Sequence, residues 1–305
     1  MGHGIWGLLM EYMMRLTVPI LLLLTANCTS NGLNSSAPAS DDTVRAEGSA
    51  AAHFMKTLGV DRRGDTPNSN MTTLAFEQTV EKGSTYRFVS GRGIVAAPGE
   101  VAREMVASDI VPSGLKFATL DADWDSAVGV ADDSNILGGN GTFTIHSDDV
   151  EFSIPIVEAT EEALRYFGAH LLRDGDCFEF NATGQFPIFT MEVGVNYVRD
   201  CVMAKGKGLY LEHHNEPHYH EPLDSDAGGV YLLAKRVTSE VGRSQYRVVG
   251  FRIPPGHAVY SEPGAIHDDG TVTGRWRVGY TKAELFSTAV IKNRAGVLAN
   301  FVFSP

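Results

Sequence analysis

The chain lacks the sequence signatures of several common enzyme classes. It has no Cys-x-x-Cys pair, no Walker A loop and no Gly-x-Ser-x-Gly nucleophile elbow. These absences argue against a zinc ribbon, a thioredoxin-like redox pair, a P-loop nucleotide site and an α/β-hydrolase. Gly91 and Gly93 are not followed by the third glycine of a dinucleotide fingerprint, so a Rossmann-type site is not supported either.

Basic residues and cysteines are also scarce. The 25 Lys and Arg residues are outnumbered by 37 Asp and Glu residues, which gives a formal net charge of -12. A surface of this charge repels a phosphate backbone, and no Lys/Arg stripe offsets it, so we expect no nucleic-acid binding. Of the three cysteines, Cys177 and Cys201 lie near predicted strands. A disulfide between them in an exported protein and two buried free thiols are both open interpretations.

Long apolar runs are absent, and the longest near the N-terminus covers residues 16–24. This run is shorter than the roughly 20 residues of a transmembrane helix. Arg15 precedes it and the small residues Thr25 and Ala26 follow it, an order typical of a secretory signal. We therefore predict a signal peptide over residues 1–28, with an uncleaved membrane anchor as the alternative, and a flexible Ser/Asn-rich linker over 29–50. Export without a stable membrane span is the expected outcome.

Glycine, by contrast, is abundant, and its 32 residues mostly separate short apolar runs. This pattern favours turn-rich β structure over helix bundles. The segment 51–175 has mixed α+β character, with its clearest helix over residues 158–172, a short helix near 51–58 and helical character over 99–108. From residue 176 to 305 the pattern is β throughout, and its regularly spaced short strands predict a barrel or sandwich. The candidate strands are 177–180, 187–193, 196–203, 208–213, 229–236, 245–253, 257–261, 275–281 and 288–292. Alternatively, the N-terminal segment wraps the barrel and shares its core.

The most informative feature is a concentration of histidines. Six of the ten histidines lie between residues 213 and 267. His218 and His220 are two residues apart, so on an extended strand both side chains point to the same face. His267 follows a Pro-Gly turn on a later strand, where it can face the pair. Imidazole is a preferred ligand of zinc, copper, iron and nickel, so these residues predict a metal site.

The order of these residues resembles the motifs of the cupin superfamily. The first cupin motif is His-x-His followed by Glu, and here His218-Tyr219-His220 is followed by Asp224. The second runs from Gly through Pro-x-Gly to His, and here Gly256 and His267 have the right separation. The resemblance implies a mainly β fold with a cupin-type jelly-roll barrel in the C-terminal half. It also implies a divalent metal (Fe, Mn or Zn) held by His218, His220, His267 and Asp224.

The chain departs from the cupin pattern at the fourth ligand. Asp224 stands where the family has Glu, Pro263 lies one place late, and Thr271 replaces the closing Asn. The fourth ligand is therefore open between Asp224, Asp226, Glu216 and none.

Two functions follow from a metal in such a barrel. The first is a metal-dependent enzyme on a small molecule, of dioxygenase or isomerase/lyase type, with Tyr219, Glu216 or Tyr260 as proton carrier. The second is a non-catalytic barrel that binds a ligand, since fold alone does not set function. Pairing of barrels through edge strands would also allow a homodimer.

A third hypothesis uses a different set of ligands. His214 and Glu216 are spaced as the first two members of a facial triad in a 2-oxoglutarate oxygenase. Arg275 or Arg277 would then bind the cosubstrate. We rank this hypothesis below the His-x-His site because Pro217 lies directly after Glu216.

Overall fold

The computed structural model describes residues 59–126, 129–130, 141–204, 208–225, 227–281 and 283–305. The predicted signal peptide, the linker and a short helix predicted near residues 51–58 lie outside these ranges, as does the alternative ligand Asp226. Within them, no helix has the length and apolar character needed to cross a membrane.

The protein is mainly β, with 51% strand and 7% helix, which confirms the predicted fold class at this level. The helices of the described residues are short: the α-helix α1 (Glu161–Tyr166), a 3₁₀ turn (Pro67–Ser69) and a π-helical turn (Val198–Met203). The strands in chain order are β1 (Asp61–Arg62), β2 (Met71–Val80), β3 (Thr85–Val89), β4 (Gly93–Ala96), β5 (Ala118–Ser126), β6 (Gly129–Val130), β7 (Gly141–Ile145), β8 (Glu151–Glu158), β9 (Ala169–Leu172), β10 (Cys177–Glu179), β11 (Phe186–Val193), β12 (Tyr210–His214), β13 (His218–Pro222), β14 (Gly228–Gly229), β15 (Tyr231–Thr238), β16 (Ser244–Arg252), β17 (Ala258–Ser261), β18 (Ile266–Asp268), β19 (Val272–Gly279), β20 (Leu285–Asn293) and β21 (Asn300–Ser304).

Seven of these strands close into a mixed barrel. Their order is β15-β18-β12-β20-β7-β5-β16, and β16 pairs back onto β15. All neighbours are antiparallel except β20 and β7, which are parallel. Closure leaves the ring without a free edge. Strands β5 and β7 come from the N-terminal half of the chain, so this ring joins both halves.

A second, eight-stranded sheet has the order β1-β2-β11-β19-β13-β17-β9, with β14 paired to β19. Here too strands from before residue 175 (β2 and β9) pair with later ones (β11 and β17). A small sheet of β10, β3 and β4 contributes Phe88 and Phe178 to a separate core with Tyr219 and Tyr260. Strand β13 therefore has a covered surface on the side that carries Tyr219.

Three local predictions are wrong. The helix predicted over 158–172 is only α1, and residues Ala169–Leu172 form strand β9. Gly168 adopts a positive φ of 79°, which ends the helix and redirects the chain. Strand β9 is buried on both faces, so its apolar run has no alternation to distinguish it from a helix. Residues 196–203, predicted as a strand, contain the π-helical turn, and the segment 99–108, predicted to be helical, forms no helix.

The two cysteines of the C-terminal part are free thiols. Cys201 is buried in the main core, whereas Cys177 is partly exposed. The thiol of Cys177 donates to Glu100 Oε2 at 3.0 Å. Of the two interpretations of this pair, the structure therefore has the free thiols and not the disulfide.

Candidate metal centre

Strand β12 places two potential ligands on one of its faces. Glu212 and His214 alternate with His213, whose ring lies on the other face, 5.2 Å from the ring of Trp124. Strand β18 pairs with β12 so that His267 stands directly opposite Glu212. Opposite residues in a sheet share a face, and His267 Nε2 accordingly lies 3.5 Å from Glu212 Oε1.

The chain then leaves the barrel and enters the eight-stranded sheet, which brings a third imidazole to the same place. His218 is the first residue of β13, and its Nε2 lies 3.0 Å from His214 Nε2. Its ring centroid is 4.3 Å from that of His267. One donor atom from each of Glu212, His214, His218 and His267 lies within 4.8 Å of all the others. We refer to these residues as the four-residue group.

The members of this group are between 2% and 8% exposed, and burial acts to lower the pKa of each of its three histidines. Burial and the nearby His267 lower the pKa of His214 to about 4. Burial and three neighbouring histidines hold the pKa of His218 well below its usual value. Burial also acts to lower the pKa of His267, but the Glu212 carboxylate outweighs it and the net shift is upward. His214 and His218 are therefore neutral near pH 7, which is the form that binds metals.

Hydrogen bonds orient two of the rings. His267 Nδ1 lies 3.0 Å from the Ala265 carbonyl oxygen, so this nitrogen carries the proton and donates it. Its Nε2 therefore carries no proton and has a free lone pair. This nitrogen is buried and has no hydrogen-bond partner. A backbone carbonyl on the far nitrogen is typical of metal-binding histidines. His214 Nδ1 accepts the backbone N–H of Glu216 at 3.3 Å, a long contact.

A second group lies beside the first and shares His218 with it. Here one donor atom each from His218, His220 and Asp269 lies within 4.8 Å of the others. His220 Nε2 is 3.1 Å from Asp269 Oδ2. Burial acts to raise the pKa of Asp269, but the bond and charge of His220 outweigh it and lower the pKa to about 2. The ring of Tyr231 packs 4.9 Å from His220. We refer to these three ligand candidates as the three-residue group.

The structure divides the metal ligands predicted from the sequence. His218 belongs to both groups, His267 only to the four-residue group and His220 only to the three-residue group. Asp224 belongs to neither group, and its carboxylate lies 3.8 Å from Arg275 Nη1 in a partly exposed pair. His218 and His220 do share a face of β13, as the alternation predicts. Their ring centroids are 5.6 Å apart along the strand, so only His218 also reaches the ligands on β12 and β18.

The residues predicted as proton carriers lie elsewhere. Tyr219 alternates with the histidines of β13, and its hydroxyl donates to Glu221 Oε2 at 2.8 Å. The hydroxyl of Tyr260 accepts the backbone N–H of Asn181 at 2.8 Å. Both tyrosines are buried in the core beneath the three-stranded sheet.

Glu216, the third predicted proton carrier, is buried and accepts hydrogen bonds from the backbone N–H and hydroxyl of Thr183. It is a member of neither group. The facial-triad hypothesis joined His214 to Glu216. In the structure, His214 shares its group with Glu212.

Glu212 has no predicted role, although the sequence contains a signal for it. Glu212 and His214 are two residues apart around a strand predicted over 208–213. The alternation that placed His218 and His220 on one face therefore applies to this pair as well. Without knowledge of the pairing between β12 and β18, nothing marked this face as the one that meets His267.

Comparison of the chain with known protein families, with curated proteins and with solved structures finds no match. No relative therefore indicates a substrate or a reaction. The buried donor atoms and the strands that hold them are the features that indicate a function.

Proposed function

We propose that the protein binds one divalent transition-metal ion through the four-residue group and acts as a metal-dependent enzyme on a small molecule. The observation that carries the proposal is the convergence of four buried donor atoms within 4.8 Å. Three imidazoles and one carboxylate combine ligand types that suit iron, zinc and manganese.

A purely structural role explains this group less well than a metal does. Buried polar atoms in proteins nearly always have a hydrogen-bond partner, because an unpaired one loses its interaction with water. His267 Nε2 is buried without one. It lies 3.5 Å from Glu212 Oε1, too far for a good hydrogen bond. A metal ion between the rings would satisfy this nitrogen.

We further propose that the barrel is of the cupin type. The support is a closed mixed barrel with a buried His/Glu group, which is compatible with a cupin-like jelly roll. In this proposal His218 and His267 keep the roles that the motif resemblance implied. Glu212 and His214 take the places for which the resemblance suggested Asp224 and His220.

Four protein ligands leave positions open on a metal that prefers six. When bound there, iron would supply a site for oxygen and substrate together, and zinc or manganese would supply a Lewis acid for isomerisation or elimination. The chain's own contribution is to fix the ligand directions through β12, β13 and β18 and to exclude bulk water. Tyr280, whose ring centroid is 6.2 Å from that of His218, forms part of the surrounding wall.

The limited exposure of the ligands favours a second candidate function. All four are at most 8% exposed, which suits a barrel that holds a metal or ligand without turning it over. The two functions differ in whether the bound metal keeps an exchangeable water. Water-proton relaxation of the manganese-loaded protein measures this directly: a strong enhancement supports the enzyme, and none supports the non-catalytic barrel.

We also propose, on the basis of the sequence, that the protein is exported. The support is the order of Arg15, the apolar run 16–24 and the small residues that follow. N-terminal sequencing of the mature protein tests it, and a start near residue 29 is the expected result. A mature chain that retains residues 1–28 would contradict cleavage.

The metal site is tested by elemental analysis of the full chain, purified without a histidine tag. We expect at least one tightly held equivalent of metal in the wild type. Glu212→Gln and His214→Ala should each weaken the affinity for that metal at least tenfold, since the loss of even a residue that only orients a metal ligand typically costs 10–100-fold in affinity. His213→Ala is the matched control, because His213 lies on the same strand but on the opposite face.

Two results would overturn the proposal. One is a wild-type protein that binds no iron, manganese or zinc when each is supplied in excess. The other is a tightly held equivalent that is unchanged in Glu212→Gln and His214→Ala while circular dichroism shows both variants to be folded.

A further inference from the structure

We infer that the three-residue group of His218, His220 and Asp269 is a second cation site, which holds a second divalent transition-metal ion beside the first. The inference rests on the proposed function only through His218, which both groups share. It assigns His220 and Asp269, which the first site does not use, to a site of their own.

The geometry of the three-residue group is that of a built site. His218 and His220 are 7% and 1% exposed and stand on the same face of β13. Asp269 follows β18 and reaches across to His220, with 3.1 Å between Oδ2 and Nε2. Two imidazoles and one carboxylate are the number and type of protein ligands found in catalytic zinc sites, which complete their coordination with water.

Unpaired nitrogens supply an independent observation. His218 Nδ1 and His220 Nδ1 are both buried and have no hydrogen-bond partner. Two aromatic rings also pack near His220: the ring centroids of Tyr231 and Trp276 lie 4.9 and 6.5 Å away. Buried donor atoms without a partner are costly for the protein alone, and an ion bound there would offset that cost.

A single ion cannot use both groups. Metal–ligand bonds to nitrogen and oxygen are about 2.0–2.2 Å, so the ligands of one ion lie at most about 4.4 Å from one another. The two groups have only His218 in common, and within each group the donor atoms lie no more than 4.8 Å from one another. They therefore describe two neighbouring ion positions with His218 between them.

The two nitrogens of His218 divide between these positions. Its Nε2 lies 3.0 Å from His214 Nε2 and so belongs to the four-residue group. Its unpaired Nδ1 is the atom left for the second ion. A second ion held there would take the place of the Nδ1 proton, which would pass to solvent.

The second site is more open than the first. The side chain of Asp269 is 21% exposed, whereas that of Glu212 is 10% exposed. An opening on the carboxylate side admits water as a further ligand and lets the ion exchange. We therefore expect the second ion to bind at least tenfold more weakly than the first.

Equilibrium dialysis of the full chain against zinc(II), and separately against copper(II), tests the inference. The wild type should bind two equivalents, one tight and one weaker. His220→Ala and Asp269→Asn should each lose the weaker equivalent and keep the tight one. His214→Ala should lose the tight equivalent, and His218→Ala should lose both. Asp269→Asn nearly preserves the side-chain shape, so it keeps the test valid if His220→Ala fails to fold.

The outcomes separate this inference from the proposed function. One equivalent in the wild type that survives in His220→Ala and Asp269→Asn overturns the second site and leaves the first intact. One equivalent that survives in His214→Ala but is lost in Asp269→Asn supports the second site and overturns the first. No binding of either metal overturns both.

Discussion

The two faces of strand β13 carry buried polar groups of opposite kinds. On the face toward the barrel, His218 and His220 each have a buried ring nitrogen without a partner. On the other face, Tyr219 donates to Glu221 at 2.8 Å, and Arg277 donates to the same carboxylate at 2.6 Å. The polar groups on one face of β13 thus satisfy one another, whereas those on the other face keep donor atoms open. The same five residues of chain therefore contain a structural network and a candidate site.

The largest expected effect is on the structural face. Arg277→Met leaves the buried carboxylate of Glu221 without its cation, so the free energy of unfolding should fall by about 3–5 kcal/mol. Metal content should not change, because Arg277 contacts neither metal group. Arg275→Met is the control, since its pair with Asp224 is partly exposed and such pairs contribute about 0–1 kcal/mol. Denaturant unfolding gives the free energy of unfolding of both variants. Loss of metal in Arg277→Met would contradict the separate roles of the two faces.

The barrel-facing side should instead respond to metal. At a free metal concentration 1,000-fold above Kd, binding stabilises the wild type by about 4 kcal/mol. His218→Ala should remove this metal-dependent increment while it leaves the chelated protein near wild-type stability. Unfolding with metal and with chelator gives the increment directly. An increment of equal size in His218→Ala would show that the ion binds elsewhere.

A third buried histidine sharpens the comparison because carboxylates face both of its nitrogens. His170 Nδ1 lies 3.1 Å from Glu161 and its Nε2 3.3 Å from Glu262, while Arg103 also contacts Glu161. Burial acts to lower the pKa of His170, but the two carboxylates outweigh it and raise the pKa above 6.5. The stability it contributes is therefore fully present below pH 6.5 and is lost as pH rises through the raised pKa.

His170→Gln should accordingly lower the free energy of unfolding by about 2 kcal/mol at pH 5.5, the typical strength of hydrogen bonds between charged groups. At pH 9 the loss should be smaller. The comparison variant is His257→Gln, at a partly exposed histidine. A loss that does not depend on pH would mean that His170 is neutral in the folded protein.

The smallest effect is expected at Tyr219, which the sequence argument assigned to catalysis. Tyr219→Phe removes one hydrogen bond to Glu221, which retains Arg277, so the expected loss of stability is about 1 kcal/mol. Metal content should equal that of the wild type. If Tyr219→Phe binds less metal, the core beneath the three-stranded sheet is coupled to the site.

Local patterns predicted part of the candidate site. Alternation placed His218 and His220 on one face of a strand and Tyr219 on the other, as the structure has them. The same rule did not show which neighbours each histidine meets. Asp224 follows the pair at motif-like spacing, yet its carboxylate is paired with Arg275 because the chain turns away from the histidines after β13. Spacing along one strand carries no information about the strand across from it.

Local patterns also failed where both faces of a segment are covered. Strand β9 is buried at all four positions, so its apolar residues resembled one side of a helix. Glu161 and Ala163 do begin a helix, with Thr160 as its N-cap. The turn at Gly168 is what separates the two elements.

The sequence by itself determined the β character of the chain, its acidity and the concentration of histidines between residues 213 and 267, because composition and alternation are local properties. Only the tertiary structure decided that Glu212 stands opposite His267, that His214 meets His218, and that β5 and β7 help to close the barrel. These are contacts between residues far apart in the chain or across a change of sheet. Pairing register and closure are set by the packing of the whole molecule, so no short segment encodes them.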